Sequence, residues 1–180
     1  MNITKRGLKI YISISLLFFF NQHVYSQKKD TADLVSVALH IIAEGTTKYY
    51  KDNGSGFFAM VSVTNNQDTA ISFWIMTCSW PDVNWVTSSD SVYFGSHGCD
   101  SNFPERIELL PHKSINFYGV FTRLGKKPIG RKVKLGFIYF SSFNDIFEAS
   151  AERSKLKNFK KYWSNQVLLE DNLFNYQKEE

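Results

Sequence analysis

The sequence predicts an all-β protein, an antiparallel β-sandwich of about seven to eight strands with a short helix before the last strand. Apolar and polar residues alternate in short runs, and polar turn segments separate these runs. Most gaps between runs are too short for the helical crossovers that parallel strands need. Aromatic residues make up 16% of the chain, which provides enough apolar surface for a core and argues against disorder.

Each predicted strand is a run of β-branched, aliphatic or aromatic residues two positions apart, as in Val35, Val37 and Leu39. The predicted strands are 34–42, 57–64, 70–78, 107–109, 115–121, 133–139 and 163–169, with a short edge strand at Val92 and Phe94. Asn165 interrupts the last run. The helix is expected within 141–161, because Leu156, Phe159 and Trp163 have helical spacing.

The first 26 residues have the layout of a signal peptide: basic residues near the start, an apolar run over 10–20, and a small residue, Ser26, before the expected cleavage site. An uncleaved membrane anchor is the alternative, but the apolar run is shorter than a membrane span. We therefore expect a periplasmic or secreted protein with no transmembrane segment in the mature chain. The mature domain is expected over 27–171, followed by a flexible tail over 172–180.

Export changes the interpretation of the charge and of the two cysteines. The chain has a formal net charge of +4, but the predicted signal peptide carries Lys5, Arg6 and Lys9 and no acidic residue. The mature chain is then close to neutral, so its charge gives no reason to expect a nucleic-acid partner. Cys78 and Cys99 are the only cysteines, and in an oxidising compartment they are expected to form one disulfide, worth about 3 kcal/mol.

The polar segment between these cysteines carries the candidate binding residues Trp80, Asp82 and Trp85, with Asp100 just beyond it. Tryptophan is common at binding hot spots, so one interpretation is a contact surface for a protein or a glycan. In the alternative, both rings fold back onto the end of the sandwich. Oxygen ligands in the same segment could hold Ca²⁺, but their spacing is not that of a calcium loop, and asparagine and aspartate commonly form turns.

Three segments carry a resemblance to known proteins: Cys78-Ser79-Trp80-Pro81-Asp82, Gly98-Cys99-Asp100-Ser101-Asn102-Phe103-Pro104 and Tyr162-Trp163-Ser164-Asn165. They resemble a group of small secreted bacterial immunoglobulin-like proteins of unassigned function, over most of 33–170. Val61-Ser62-Val63-Thr64-Asn65-Asn66 and Leu109-Leu110-Pro111-His112-Lys113-Ser114 are similar to the strand and turn pattern of bacterial immunoglobulin-like domains. The resemblance implies an immunoglobulin-like sandwich and no activity. The strand pattern alone is similar to sandwich-fold proteinase inhibitors of bacteria.

No motif of catalysis, nucleotide binding or zinc binding occurs in the sequence. His40, His97 and His112 lack zinc-ligand spacing, so we expect no catalytic residue, no metal and no cofactor. Two basic clusters, 123–134 and 153–161, suit either an anionic partner or a solvated surface. We therefore predict an exported, non-enzymatic binding module that uses the Trp-bearing loop. The alternative is a secreted protease inhibitor that acts through the 79–98 loop.

Overall fold

The computed structural model describes residues 33–46, 55–96, 101–124 and 131–169. The predicted signal peptide, the tail, Cys99 and Asp100 lie outside these ranges. The strands are β1 (Val35–Thr46), β2 (Ser55–Asn65), β3 (Ile71–Met76), β4 (Trp85–Thr87), β5 (Val92–Gly95), β6 (Pro104–Leu109), β7 (Ser114–Arg123), β8 (Arg131–Val133), β9 (Leu135–Ile138), β10 (Lys161–Trp163) and β11 (Val167–Leu169). The helices, in chain order, are α1 (Trp80–Val83), α2 (Phe143–Ala151) and a 3₁₀-helix (Arg153–Asn158).

Every strand pairing among these residues is antiparallel, so the predicted all-β class with a small helix is confirmed. No helix in the described ranges is long and apolar enough to cross a membrane.

The first layer is a four-stranded sheet in the order β1-β2-β7-β5. The predicted alternation is visible in it, because Val35, Val37 and Leu39 of β1 point into the core while Ser36 and His40 are exposed. The run predicted at Val92 and Phe94 forms β5, which lies at the edge of this sheet, as expected.

The second layer is organised around β9. This strand pairs with β10 on one side and β4 on the other, and β3 joins the layer through a bridge between Trp74 and Phe140. Strand β6 pairs with β3, and β8 pairs with β11. The two layers share one apolar core, in which the rings of Phe73 and Phe137 meet edge to face with their centroids 5.3 Å apart.

All four residues of β9 are buried, because apolar side chains cover both of its faces. Leu135 and Phe137 face the core between the layers. Ile138 belongs to a second cluster, in which it packs with Ile146 and Ala149 of α2 and with Leu156 of the 3₁₀-helix. The helical segment therefore covers the outer face of the second layer.

The helix lies inside the predicted segment, but the residues that predicted it have different roles. Helix α2 begins after Ser142, whose Oγ accepts a hydrogen bond from the Asp145 N–H, and it ends at Ala151. Leu156 belongs to the 3₁₀-helix, Phe159 follows it, and Trp163 lies on β10. The apparent helical spacing of these three residues thus crosses an element boundary.

The described ranges contain eleven strands, more than predicted. Two of the predicted runs are each divided into two strands, and β4 was not predicted because three residues are too few to show alternation. Lys134 separates β8 from β9, and both its N–H and its C=O bond to Ser88. Asn165 lies between β10 and β11, where its side chain bonds the N–H and the C=O of Leu39 at 2.7 and 2.9 Å. The break that Asn165 makes in the sequence pattern is therefore a contact between the second layer and β1. The missed strand is β4.

Asn84 lies just before β4, at the point where β3 replaces β4 as the neighbour of β9. It is fully buried, its Nδ2 donates to the Trp74 C=O at 2.9 Å, and its Oδ1 accepts from the Met76 N–H at 3.4 Å. Its backbone carbonyl oxygen accepts from the Ile138 N–H at 2.8 Å. The carboxamide thus satisfies backbone groups that no strand partner reaches.

We expect Asn84→Ala to lower the free energy of unfolding by about 1–3 kcal/mol, because it leaves buried backbone groups of β3 without partners. Chemical denaturation measures this value. Asn144→Ala, at an exposed position of α2, is the matched control and is expected to change stability little. Equal effects of the two substitutions would contradict the role assigned to Asn84.

Candidate functional site

The structure places the predicted Trp-bearing segment against the core. Of the four candidate binding residues, Trp80, Asp82 and Trp85 are described, and Asp100 lies outside the described ranges. The segment is not an open loop: residues 80–83 form α1, and β4 and β5 follow it. Pro81, Val83 and Asn84 are buried.

The two tryptophans differ in their exposure. Trp85 is only 3% exposed, and its ring packs against Phe94, Phe117 and Phe137 with centroids 5.1–6.2 Å apart. Trp80 is partly buried and contacts Phe94 and Phe117. Packing onto the core, the second of the two sequence interpretations, therefore describes Trp85, whose ring offers almost no surface to a partner.

A groove of about 330 Å³ opens beside α1. Its walls come from α1, β4, β5 and the 3₁₀-helix, together with the segments that adjoin them. Most of the lining is apolar: Pro81, Trp85, Val86, Val92, Phe94, Leu124 and Leu156. The polar and charged lining residues are Asp82, Thr87, Ser89, Asp90, Tyr93 and Arg153. An apolar cleft of this size with a few polar groups is the usual form of a small-ligand site.

Asp82 is the centre of the polar part of the groove. Its Oδ1 accepts a hydrogen bond from the Tyr93 hydroxyl at 2.8 Å and lies 2.7 Å from the Arg153 guanidinium. The Asp82 side chain is 22% exposed, whereas that of Arg153 is 63% exposed. The pair therefore fixes the carboxylate inside the groove and leaves much of the guanidinium in solvent.

Two residues that line the groove, Trp85 and Asp90, carry a polar group that has no partner among the described residues. The buried indole N–H of Trp85 has no hydrogen-bond acceptor among the described residues. An unpaired buried donor costs about 1–3 kcal/mol, so this one is unfavourable in the protein alone. The exposed carboxylate of Asp90 has no ion-pair or hydrogen-bond partner in the part of the protein that the structure describes.

The basic cluster at 153–161 is mostly paired within the fold. Lys161 Nζ donates to the carbonyls of Leu156, Lys157 and Phe159, which closes the C-terminal end of the 3₁₀-helix. Hydrogen bonds to carboxylates raise the pKa of Lys155 and the pKa of Lys160 above the usual value for lysine. The ion pairs are Arg153 with Asp82, Lys155 with Glu148 and Glu152, and Lys160 with Asp33. Carboxylates in the described ranges therefore neutralise three of the five basic side chains of this cluster.

Asn84 and Asn102, two of the oxygen-bearing side chains in or next to the segment considered for Ca²⁺, have structural contacts instead. Asn84 joins β3 and β9, and the Asn102 Oδ1 accepts the N–H groups of Cys78 and Ser79 at 3.1 and 3.0 Å. The described residues contain no cluster of three or more histidine, cysteine, aspartate or glutamate side chains that could hold a metal ion. Among the histidines, His40 is exposed on β1, the His112 Nε2 lies 3.0 Å from the Asp68 carboxylate, and His97 is outside the described ranges.

Sequence reasoning found Asp82 and Trp85 but missed the rest of the groove. Tyr93 and Leu124 belong to strands or strand ends, and nothing in their spacing connects them to α1. Arg153 lies in the basic cluster 153–161, for which the sequence indicated an anionic partner or a solvated surface and not an ion pair with Asp82. No protein-family model, curated protein or solved structure matches this sequence.

We expect Trp85→Ala to lower the free energy of unfolding by about 3–5 kcal/mol, because it leaves a cavity among three phenylalanines. Thermal or chemical denaturation measures the loss. Trp163→Ala is the control, because Trp163 is 43% exposed, and a smaller loss is expected. A loss at Trp85 no larger than that at Trp163 would contradict the placement of the Trp85 ring in the core.

Proposed function

We propose that this protein is an exported, non-enzymatic binding module and that the groove beside α1 is its ligand site. The observation that carries the proposal is the combination, in one cleft, of an apolar lining and the Asp82, Tyr93 and Arg153 cluster. The proposal keeps the Trp-bearing segment as the binding element. The contact surface shifts from the tryptophan rings to the groove that they support.

The strand order supports an immunoglobulin-like fold for this module. One immunoglobulin sheet has the order A-B-E-D, and the first layer has this order if β1, β2, β5 and β7 are taken as A, B, D and E. In the second layer, β3, β9 and β10 then correspond to C, F and G. Binding sites in such folds commonly lie on the segments that connect the strands.

A disulfide between Cys78 and Cys99 remains part of the proposal. The Asn102 side chain already holds the segment after Cys99 against Cys78 and Ser79. A disulfide would join Cys99 to Cys78, which lies two positions before the start of α1. The link would hold one wall of the groove in place and so reduce the entropy that binding has to remove.

The alternative, a protease inhibitor, has less support. An inhibitory loop presents an extended, accessible segment to the protease cleft. The described part of the 79–98 loop instead contains a helical turn and two paired strands, with several side chains buried. No observation in the described ranges favours this second function over the first.

The binding site can be tested with three probes that share one alkyl group: 1-hexanol, hexanoate and n-hexylammonium. We expect at least one of them to shift amide signals of 82–94 and of Leu124 in ¹H–¹⁵N NMR spectra of the mature protein. Leu124→Ser should lower the affinity for that probe about threefold to fivefold, because it removes apolar surface from the groove wall.

Leu110→Ser is the matched control. Leu110 is 54% exposed and Leu124 is 50% exposed, but Leu110 lies in the turn between β6 and β7 and does not line the groove. Leu110→Ser is expected to leave binding unchanged. If none of the three probes shifts the groove amides, or if the two serine variants weaken binding equally, the groove is not the site.

Export is tested separately by expressing the full-length protein in a bacterium and analysing the periplasmic and culture fractions by intact mass spectrometry. We expect a product that begins at Gln27 and takes up iodoacetamide at Cys78 and Cys99 only after reduction. A product that keeps residues 1–26, or one that is alkylated without reductant, would contradict export or the disulfide respectively.

A further inference from the structure

The charges around the groove are not balanced. Its described lining residues contain two carboxylates, Asp82 and Asp90, and one guanidinium, Arg153, so this described part of the lining carries one net negative charge. Arg153 and Tyr93 already bind Asp82. Among the described lining residues, Asp90 therefore carries the charge that no partner neutralises.

From this imbalance we infer that the groove binds an organic cation with an apolar stem, in which an ammonium or guanidinium group pairs with Asp90 and the stem lies along the apolar wall. The inference rests on the proposed function, since it names the class of ligand that the same groove takes. The shared chemistry is that of a free aliphatic amine and of a lysine or arginine side chain in a peptide. Such ligands bury a hydrocarbon stem and keep a charged head at the rim.

The apolar and aromatic lining fits the stem of such a cation. Leu124 and Val86 supply aliphatic surface, and the partly buried Tyr93 belongs to the same lining. Aromatic faces attract cations as well as hydrocarbon. The fold itself already seats one cation here, because the Arg153 guanidinium lies 2.7 Å from Asp82 in the same groove.

An anionic ligand is the opposite case and is less favourable. It would have to approach Arg153 while two carboxylates line the same cleft, and Asp82 already holds part of that guanidinium. Substitution of Arg153 therefore distinguishes the two charges. Loss of its positive charge strengthens the binding of a cation and weakens the binding of an anion.

The test uses the same three probes on the mature protein at low ionic strength, with affinities from NMR titration. We expect n-hexylammonium to bind tighter than 1-hexanol, and hexanoate to bind weakest. Asp90→Asn should weaken n-hexylammonium about threefold to fivefold and leave 1-hexanol unchanged, and added salt should have the same effect as the substitution. Arg153→Gln should raise the affinity for n-hexylammonium.

Glu105→Gln is the control, because Glu105 is an exposed carboxylate on β6 away from the groove, and it should change none of the affinities. The peptide acetyl-Ala-Lys-Ala-amide tests the second source of the cation. Tighter binding of the peptide than of n-hexylammonium assigns the site to a protein side chain, and weaker binding assigns it to a free amine.

If hexanoate or 1-hexanol binds the groove as tightly as n-hexylammonium, or if Asp90→Asn has no effect, the inference of a cation is overturned while the groove remains a binding site. If none of the probes binds, the proposed function itself fails.

Discussion

The structure depends on the burial of β9 from both sides. Leu135 and Phe137 face the core between the two layers, and Ile138 faces the cluster under α2. A strand that is apolar on both faces needs a cover on each, because its exposed surface would cost about 25 cal/mol for each Å². The first layer supplies one cover, and α2 with the 3₁₀-helix supplies the other.

This arrangement determines where the groove forms. Strand β4 pairs with β9 for only three residues, and β3 is the next neighbour along the same edge of β9. Asn84 forms hydrogen bonds with backbone groups between β4 and β3. The 3₁₀-helix that covers β9 also carries Arg153 to the Asp82 carboxylate of α1. The polar cluster and the apolar cleft beside it are thus products of the same packing that buries β9.

The sequence predicted the class of the fold well, because alternation in β1, β2 and β7 is a local property that one buried face enforces. It predicted β9 as part of one run over 133–139, because alternation does not reveal the break at Lys134, where the backbone bonds to Ser88. It also missed β4, which has too few residues to show a period. The candidate site was found in part, through the unusual tryptophans, but Arg153 and Leu124 reach the groove only through tertiary packing. The resemblance to secreted bacterial proteins remains a prediction.

The most direct test of this account is amide hydrogen exchange measured residue by residue on the mature protein. We expect the slowest exchange at Leu135, Phe137 and Ile138 of β9, close to the rate set by global unfolding, because both faces and both edges of this strand are covered. Faster exchange at these three amides than in β1 or β2 would contradict the central role of β9 and, with it, the packing that forms the groove.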